Sequence, residues 1–211
     1  MSDRLDPMRG VYDGQRAAAL AGVPKSTLHY WARTGLVAPS ISTNQPRLWS
    51  WADLLALRAV EWLRHRPDGG SDVPVRRIRA ALALMSGEGR TVHDLRHILV
   101  SGSGQLFFGE GDDEVAKGLD GQLARADILV LVAPFGGAPD LLSPRPHLRI
   151  VPGKLHGEPH IEGTRIQSQA IFALHAAGYA LDALVELYPD AGRAALAEAI
   201  ALEQSFQHRA A

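Results

Sequence analysis

Residues 17–34, AAALAGVPKSTLHYWART, constrain the fold of this chain more than any other segment. The pattern predicts two short helices joined by a tight turn. Gly22 allows the turn because a residue without a Cβ adopts positive φ at little steric cost. Pro24 sets φ directly before the second helix, and Ser26 or Thr27 is expected to cap that helix. The segment therefore predicts a helix-turn-helix.

The second helix of this pair has two chemically different faces. Leu28 and Trp31 are three residues apart and are expected to point inward. The opposite face is polar, basic and aromatic, which suits a DNA major groove and its phosphates. The predicted contacts are His29, Tyr30 and Arg33 in the groove, Ser26 and Thr27 near the helix start, and Lys25, Arg16 and Arg47 at phosphates. An ordinary helical hairpin is the alternative interpretation.

The residues that follow predict a two-stranded wing. Residues 36–38 form a short apolar strand and residues 47–49 form a second one, with a polar link between them that is rich in turn-forming residues. Ser50 is then expected to cap a helix, WADLLALRAVEWLRH, which carries an apolar stripe. A wing directly after a recognition helix strengthens the DNA-binding interpretation.

Residues 12–66 resemble the winged helix-turn-helix domain of the MerR family. The matching text is Tyr12, AALAGVPKSTLHYWARTGLVAP and RLWSWADLLAL. In that family the second helix usually carries Leu-Arg-Tyr-Tyr followed by an acidic residue. The same places here hold Leu28, His29, Tyr30, Trp31 and Ala32. A phosphate-binding arginine of the family is thus replaced by His29, which is neutral or nearly so at pH 7.

The charge of the chain is distributed unevenly, although its net value is −1. Residues 1–90 carry 13 basic and 8 acidic side chains, whereas residues 91–211 carry 9 and 15. The basic first half contains the predicted helix-turn-helix and would attract DNA. The acidic second half suits a basic protein partner. A split of this size can also arise by chance.

The composition excludes several classes of site. The chain contains no cysteine, which removes disulfides, thiol nucleophiles and cysteine metal sites. It has no run of about 18 apolar residues, so no membrane span is expected. The first ten residues lack an apolar signal core. We expect a cytoplasmic, nucleoid-associated protein.

The middle of the chain predicts a basic helix followed by short strands. The helix covers residues 74–85, and Ile98–Val100 and Gln105–Phe108 are expected to pair as a hairpin. Further strands are predicted at residues 128–132 and 147–151. The glycines of this region are assigned to hairpin turns rather than to a phosphate loop, because no GxxxxGK[ST] motif is present.

A second specific motif lies near the C-terminus. Its residues are Gly157, Pro159, Ile161, Gly163, Thr164, Arg165 and Ile166. The proline and glycines are expected to shape a stiff turn that the two isoleucines anchor in a core. Arg165 is expected to donate to loop carbonyls or to Glu162 or Glu186. Helices are predicted to follow at residues 168–177, 181–188 and 193–207, with direct DNA contact or a protein-binding role as alternatives for the last.

This motif, with a Tyr-Pro before the last helix, resembles a bacterial domain family of unknown function. Together with the middle of the chain, it also resembles VapB-like antitoxins of VapBC-type toxin–antitoxin systems. That resemblance implies an antitoxin that represses its own transcription by binding operator DNA and that neutralises a PIN-like ribonuclease toxin. It implies no catalytic residues.

We therefore predict a mainly α chain with small β elements. Residues 1–89 form a MerR-like winged helix-turn-helix domain, residues 90–151 a small region containing a β-hairpin, and residues 152–211 a GTRI-type three-helix domain. The partners expected are operator double-stranded DNA, a PIN-like toxin and a second copy of the chain in a homodimer, with no membrane association.

Two other functions stay open. The first is a stand-alone MerR-like regulator whose second half senses a small molecule, which predicts an apolar pocket between the hairpin region and the last three helices. The second is an enzyme, although the sequence contains no HExxH, GxSxG or paired-acid motif. No cofactor is expected. His156, His160 and His175 do not have the spacing of a metal site.

Overall fold

The computed structural model describes residues 10–65, 72–87, 97–101, 106–109, 123–127 and 131–210. The helices are α1 Gly14–Ala21, α2 Lys25–Arg33, α3 Trp51–His65, α4 Val75–Gly87, α5 Ser168–Ala176, α6 Leu181–Leu187 and α7 Arg193–Ala210. The strands are β1 His97–Ser101, β2 Leu106–Gly109, β3 Leu123–Asp127, β4 Leu148–Arg149 and β5 His160–Ile161. The predicted fold class, mainly α with small β elements, is confirmed.

Helices α1 and α2 form the predicted helix-turn-helix. Asp13 caps α1 by accepting from the Arg16 backbone N–H at 2.8 Å, and Gly22 ends the helix with φ 77°. Helix α2 begins at Lys25, directly after Pro24, and has no side-chain cap. The prediction that Ser26 or Thr27 caps α2 is therefore wrong, because both lie inside its first turn.

The wing differs from the predicted pair of strands. Residues 36–38 form no strand, because the Leu36 N–H donates to the Trp31 carbonyl at 3.0 Å and turns the chain back onto α2. Leu36 and its neighbour are nevertheless buried. Leu48 pairs instead with Ser42, and Trp49 pairs with Tyr12 from the start of the chain.

The predicted cap of α3 is confirmed as a reciprocal pair of hydrogen bonds. The Asp53 backbone N–H donates to Ser50 Oγ at 3.1 Å, and the Ser50 backbone N–H donates to Asp53 Oδ2 at 2.7 Å. This arrangement satisfies two N–H groups at the helix start. Asp53 also accepts from Ser40, so the cap holds the wing against α3.

A small antiparallel sheet occupies the middle of the chain, in the order β2-β1-β3. Ile98 pairs with Phe108 on one side and with Ala126 on the other. The predicted hairpin is confirmed, although Gln105 lies outside the described residues. The predicted strand at 128–132 is wrong for Leu131 and Val132, which are helical. Residues 128–130 lie outside the described residues.

The C-terminal part contains the β4-β5 ribbon and helices α5 to α7. Leu148 pairs with Ile161, so the predicted strand at 147–151 is confirmed only for β4. The three predicted helices are present, and α7 extends to Ala210. Helix α7 packs against both α5 and α1. Because α1 belongs to the helix-turn-helix, the two ends of the chain share one buried core.

Candidate nucleic-acid interface

The outward face of α2 carries most of the predicted DNA contacts. Leu28 and Trp31 are 0% and 2% exposed, as their spacing predicts, and anchor the helix in the core. Ser26 and Arg33 are exposed, and Tyr30 is half exposed. The remaining predicted contacts on this helix, Lys25, Thr27 and His29, are partly buried. The inward face thus fixes the helix, while its polar face is open to a large ligand.

A side-chain contact joins the wing to the outward face of α2. Arg47 Nη1 lies 3.5 Å from His29 Nδ1. Partial burial lowers the pKa of His29, and the neighbouring charges of Arg47 and Lys25 lower it further. A neutral imidazole nitrogen can accept a hydrogen bond. His29 can therefore hold the Arg47 guanidinium at the rim of the outward face instead of repelling it.

Two further arginines lie at the C-terminal end of α2, Arg33 on the helix itself and Arg79 on α4. The Arg33 guanidinium lies over the Tyr30 ring, 5.7 Å from its centroid. Arg79 of α4 donates from Nη1 to the Thr34 carbonyl at 3.0 Å, where α2 ends. A cation at this end of a helix complements the partial negative charge of its carbonyls. The basic helix α4 therefore supports the end of α2, a contact that its sequence alone did not indicate.

Arg16 does not lie on this surface. It is 7% exposed, and its guanidinium forms ion pairs with Glu203 Oε2 at 2.7 Å and Glu158 Oε2 at 2.8 Å. It also lies over the Phe206 ring at 5.1 Å. A buried guanidinium shared by two carboxylates cannot reach a phosphate without losing both partners. We therefore exclude Arg16 from the predicted DNA contacts.

Tyr12 joins the start of the helix-turn-helix domain to the C-terminal motif. Its hydroxyl is fully buried and donates to the Gly157 carbonyl at 3.0 Å. Burial, with the charge of Glu158 in the same direction, raises the pKa of Tyr12, so the hydroxyl keeps its proton. The Val11 N–H donates to the His156 carbonyl at 2.9 Å beside it. The N-terminal domain is thus anchored to the far end of the chain.

Arg58 is a buried structural residue that the sequence did not single out. It is fully buried on α3 and donates to the Leu20 carbonyl at 2.7 Å, the Pro139 carbonyl at 3.1 Å and the carbonyls of residues 131–133. Burial lowers its pKa to about 10, against the opposing effect of Asp140. It stays charged at neutral pH. Its position within the apolar stripe of the predicted helix is the sequence feature that indicates a buried arginine.

The C-terminal motif forms a tight turn that closes on itself. Thr164 Oγ1 donates to the Ile161 carbonyl at 2.8 Å and accepts from the Ile166 N–H at 3.0 Å. The Pro159 carbonyl accepts from the N–H of Ser168 at the start of α5. Gly163 has φ 75°, which favours glycine in the turn. The motif therefore positions α5.

The predicted partners of Arg165 are wrong. Arg165 is exposed, whereas Glu162 forms an ion pair with Arg149 Nη2 at 2.8 Å. The pairing of the strands explains why Glu162 contacts Arg149 instead of Arg165. Arg149 lies on β4, and Glu162 directly follows the paired strand β5. Glu186 is exposed on α6. Arg165 is thus a surface cation outside the turn's hydrogen-bonding network.

The three histidines near the motif are separated by their local contacts. His160 is buried, and burial lowers its pKa. His156 is exposed, and His175 Nδ1 contacts the Tyr179 carbonyl at 3.2 Å. Within the described ranges, no three His, Asp or Glu side chains come together in a way that would hold a metal ion. No described helix has the length and apolarity to cross a membrane.

A cleft of about 550 Å³ lies between residues 134–149 and α7. Its wall includes Ala138, several prolines and the Phe206 ring, with Arg145 and Arg149 among the polar residues. The predicted small-molecule pocket was placed between the hairpin region and the last three helices. The observed cleft lies close to that position, and of the last three helices α7 is the one that contributes lining residues.

Two family models match separate parts of the chain. Residues 12–67 match the family model described as MerR HTH family regulatory protein, in agreement with the resemblance found in the sequence. Residues 149–202 match a family described as protein of unknown function, DUF433. The second match agrees with the resemblance to a family of unknown function and says nothing of an antitoxin.

Several curated proteins are similar to about half of this chain. They are uncharacterized HTH-type transcriptional regulators of Mycobacterium bovis and of two Mycobacterium tuberculosis strains. Each is 36% identical over 101 residues, which cover 46% of this chain and 42% of the relative. The match thus spans less than half the length of these relatives. No solved structure gives a significant match.

Proposed function

We propose that this chain is a transcriptional regulator that binds double-stranded DNA through α2 and the wing. The observation that carries the proposal is the outward face of α2, where Tyr30 and Arg33 are exposed and Arg47 stands beside His29. An anchored helix with such a face can enter a major groove. The MerR-type domain and the names of the relatives as HTH-type regulators support the same function.

Each proposed contact has a distinct role. His29, Tyr30 and Arg33 face base edges, Ser26 and Thr27 lie at the start of the helix, and Lys25 and Arg47 bind phosphates. Two copies would place two recognition helices in successive major grooves, as paired half-sites require. A homodimer is therefore part of the proposal. The proposed domains are residues 1–89, 90–151 and 152–211. A DNA-binding regulator would act in the cytoplasm, at the nucleoid.

The salt dependence of DNA affinity tests this function. A cation that binds a phosphate releases a counterion, so Arg47→Gln should weaken binding to all sequences and reduce the salt slope by about one unit. Fluorescence anisotropy with duplex DNA at several salt concentrations measures both effects. Arg165→Gln removes an exposed arginine elsewhere and is the matched control. Equal slopes for both variants would remove the wing from the proposed interface.

The more specific proposal is that the regulator is an autorepressing antitoxin of a PIN-like ribonuclease toxin. The acidic second half supports it, as do Tyr179 and Leu187, which are exposed near Asp182 and Glu186 of α6. An exposed aromatic and a leucine beside carboxylates suit a basic protein surface. Co-expression with the product of the neighbouring gene should give a complex whose ribonuclease activity appears only after this chain is removed.

A stand-alone regulator that senses a small molecule is the alternative, and the cleft beside α7 favours it. Cavities of this size are typical of small-molecule sites. The two functions differ in one measurement. An antitoxin suppresses a ribonuclease in the absence of any small molecule, whereas a sensor changes its DNA affinity when a ligand is added.

A further inference from the structure

The cleft between residues 134–149 and α7 contains one arginine without a compensating carboxylate. Arg149 is neutralised by Glu162 and also donates to the Leu148 carbonyl at 2.8 Å. The Arg145 guanidinium donates from Nη1 to the Pro144 carbonyl at 3.0 Å, and it has no acidic partner among the residues that the structure describes. Arg145 therefore leaves donors for a ligand.

The acidic residue of the cleft, Asp140, already accepts hydrogen bonds from the backbone. Asp140 Oδ1 accepts from the N–H groups of Leu142 and Ser143, at 2.8 and 2.6 Å. The charge of Asp140 also raises the pKa of the buried Arg58. Among the described residues, Asp140 is held by these two backbone N–H groups and forms no ion pair with Arg145. The local balance favours an anion at Arg145.

The rest of the lining is mostly apolar. Pro134, Pro144, Pro146 and the Phe206 ring surround the polar groups, and the Ser143 and Ser205 residues lie among them. A guanidinium at the edge of an apolar cleft binds a carboxylate or sulfonate whose hydrocarbon body fills the remaining volume. A highly charged phosphate ester would leave charges without partners in such a lining.

The wall of this cleft touches the turn of the helix-turn-helix. Ala138 packs on Gly22 so closely that a Cβ added to the glycine would lie 2.6 Å from the Ala138 Cβ. Arg58 Nη1 donates to both the Leu20 carbonyl at the end of α1 and the Pro139 carbonyl in the wall. On the opposite side of the cleft, Phe206 lies beneath Arg16 of α1.

We propose that this cleft binds a small organic monoanion with an apolar body, held by Arg145, and that its occupancy alters the turn between α1 and α2. A ligand that contacts Ala138 or Phe206 acts on residues that touch α1 directly. An effect on α2 requires only a difference in affinity between two arrangements of this turn. The regulatory part rests on the proposed DNA-binding function, whereas the ligand site does not.

Two fluorescent probes test the site on the full chain. Anilinonaphthalene sulfonate is an aromatic monoanion, and phenylnaphthylamine is its neutral counterpart. The sulfonate should bind at one saturable site about tenfold more tightly, as one charge-assisted contact provides. Arg145→Gln should abolish this preference, while the matched variant Arg165→Gln keeps it. Ser205→Trp, which fills the cleft, should weaken binding of both probes.

Hydrogen exchange measures the coupling without DNA. The amides of Gly22 and Val23 donate to the Ala18 carbonyl, so they report the turn directly. Sulfonate binding should change their exchange rates at least threefold in the wild type and not in Arg145→Gln. Equal affinities for the two probes, or equal behaviour of the two arginine variants, overturns the site. Saturable binding with unchanged exchange overturns the coupling.

DNA affinity is a separate measurement in the same preparations. A chain that binds the sulfonate through Arg145, with altered exchange at the turn, but does not bind duplex DNA contradicts the proposed function and supports the ligand site. A chain that binds DNA and shows no preference for the sulfonate overturns the ligand site alone. The two failures are therefore distinguishable.

Discussion

Arg16 and Arg58 show how a buried charge is stabilised in this molecule. Arg16 shares two carboxylates, whereas Arg58 is surrounded by backbone carbonyls and the Phe135 ring, 4.7 Å from its guanidinium. Both solutions offset the cost of removing a cation from water. Both partners of Arg16 come from the second half of the chain, and so do the partners of Arg58 apart from the Leu20 carbonyl. These two side chains therefore connect the helix-turn-helix to the rest of the protein.

Arg16→Ala should lower the free energy of unfolding by about 3 to 5 kcal/mol, because Glu158 and Glu203 would stay buried without a cation. Urea denaturation followed by far-UV circular dichroism measures the loss. Arg193→Ala removes an arginine whose ion pair with Asp182 is exposed, and should cost about 1 kcal/mol or less. Similar losses for both variants would contradict the buried network.

The Glu158 carboxyl should make stability depend on pH. Burial raises its pKa above the ordinary 4.5, against the attraction of Arg16. A carboxyl with a raised pKa holds its proton more tightly in the folded state, so its contribution to stability is present at low pH and is lost as pH rises through the raised pKa. Glu158→Gln should therefore gain stability relative to the wild type as pH increases from about 4.5 to 7.

Urea titrations across this pH interval test whether the stability of Glu158→Gln relative to the wild type rises with pH. Glu162→Gln, which removes an exposed carboxylate, is the control for the loss of one negative charge. A difference between Glu158→Gln and the wild type that shrinks as pH rises would mean that the attraction of Arg16 outweighs burial.

At the scale of single elements, neighbouring parts of the chain determine each turn and cap. Gly22 ends α1 by adopting φ 77°, and the Ser50–Asp53 pair starts α3 while holding the wing through Ser40. The predicted strand at 36–38 does not form, because the Leu36 N–H donates to the Trp31 carbonyl of α2. Local pattern thus predicts where helices end better than which strand a short apolar segment joins.

Gly22→Ala should disrupt the helix-turn-helix more than an equivalent change at the end of α2. The alanine would have to adopt a strained positive φ, and its methyl group would also collide with Ala138. Gly35→Ala has φ 68° and nothing within 4 Å, so it should cost only the backbone strain, about 1 kcal/mol. Thermal unfolding measures both variants. Equal shifts in Tm would show that Ala138 does not press on the turn in solution.

At the scale of the whole molecule, the first and last parts of the chain depend on one another. Residues of α1, α3 and α7 contribute to one buried cluster, and Tyr12 and Arg16 find their polar partners more than a hundred residues away. The outward face of α2 lies outside these contacts and stays open. The C-terminal part therefore stabilises the helix-turn-helix without covering the proposed DNA-binding face.

This arrangement predicts a single cooperative unfolding transition. All four tryptophans, Trp31, Trp49, Trp51 and Trp62, lie in the N-terminal domain. Tryptophan fluorescence therefore reports that domain, whereas far-UV circular dichroism also reports α5 to α7. The two curves should coincide in urea, because a shared core couples the halves. Two separated midpoints would show that the domains unfold independently.

The sequence by itself determined most of the helices of this protein and its central hairpin. The helix-turn-helix, the Ser50 cap, the hairpin at Ile98 and the three C-terminal helices follow from periodicity, caps and turn residues that act over a few positions. Tertiary structure alone decided that Arg16 is buried with Glu158 and Glu203, that Tyr12 pairs with Trp49, and that Arg58 binds the cleft wall. The reason is physical. From its sequence neighbours alone, a charged side chain is expected at the surface. Only the folded chain provides the distant partners that make its burial favourable.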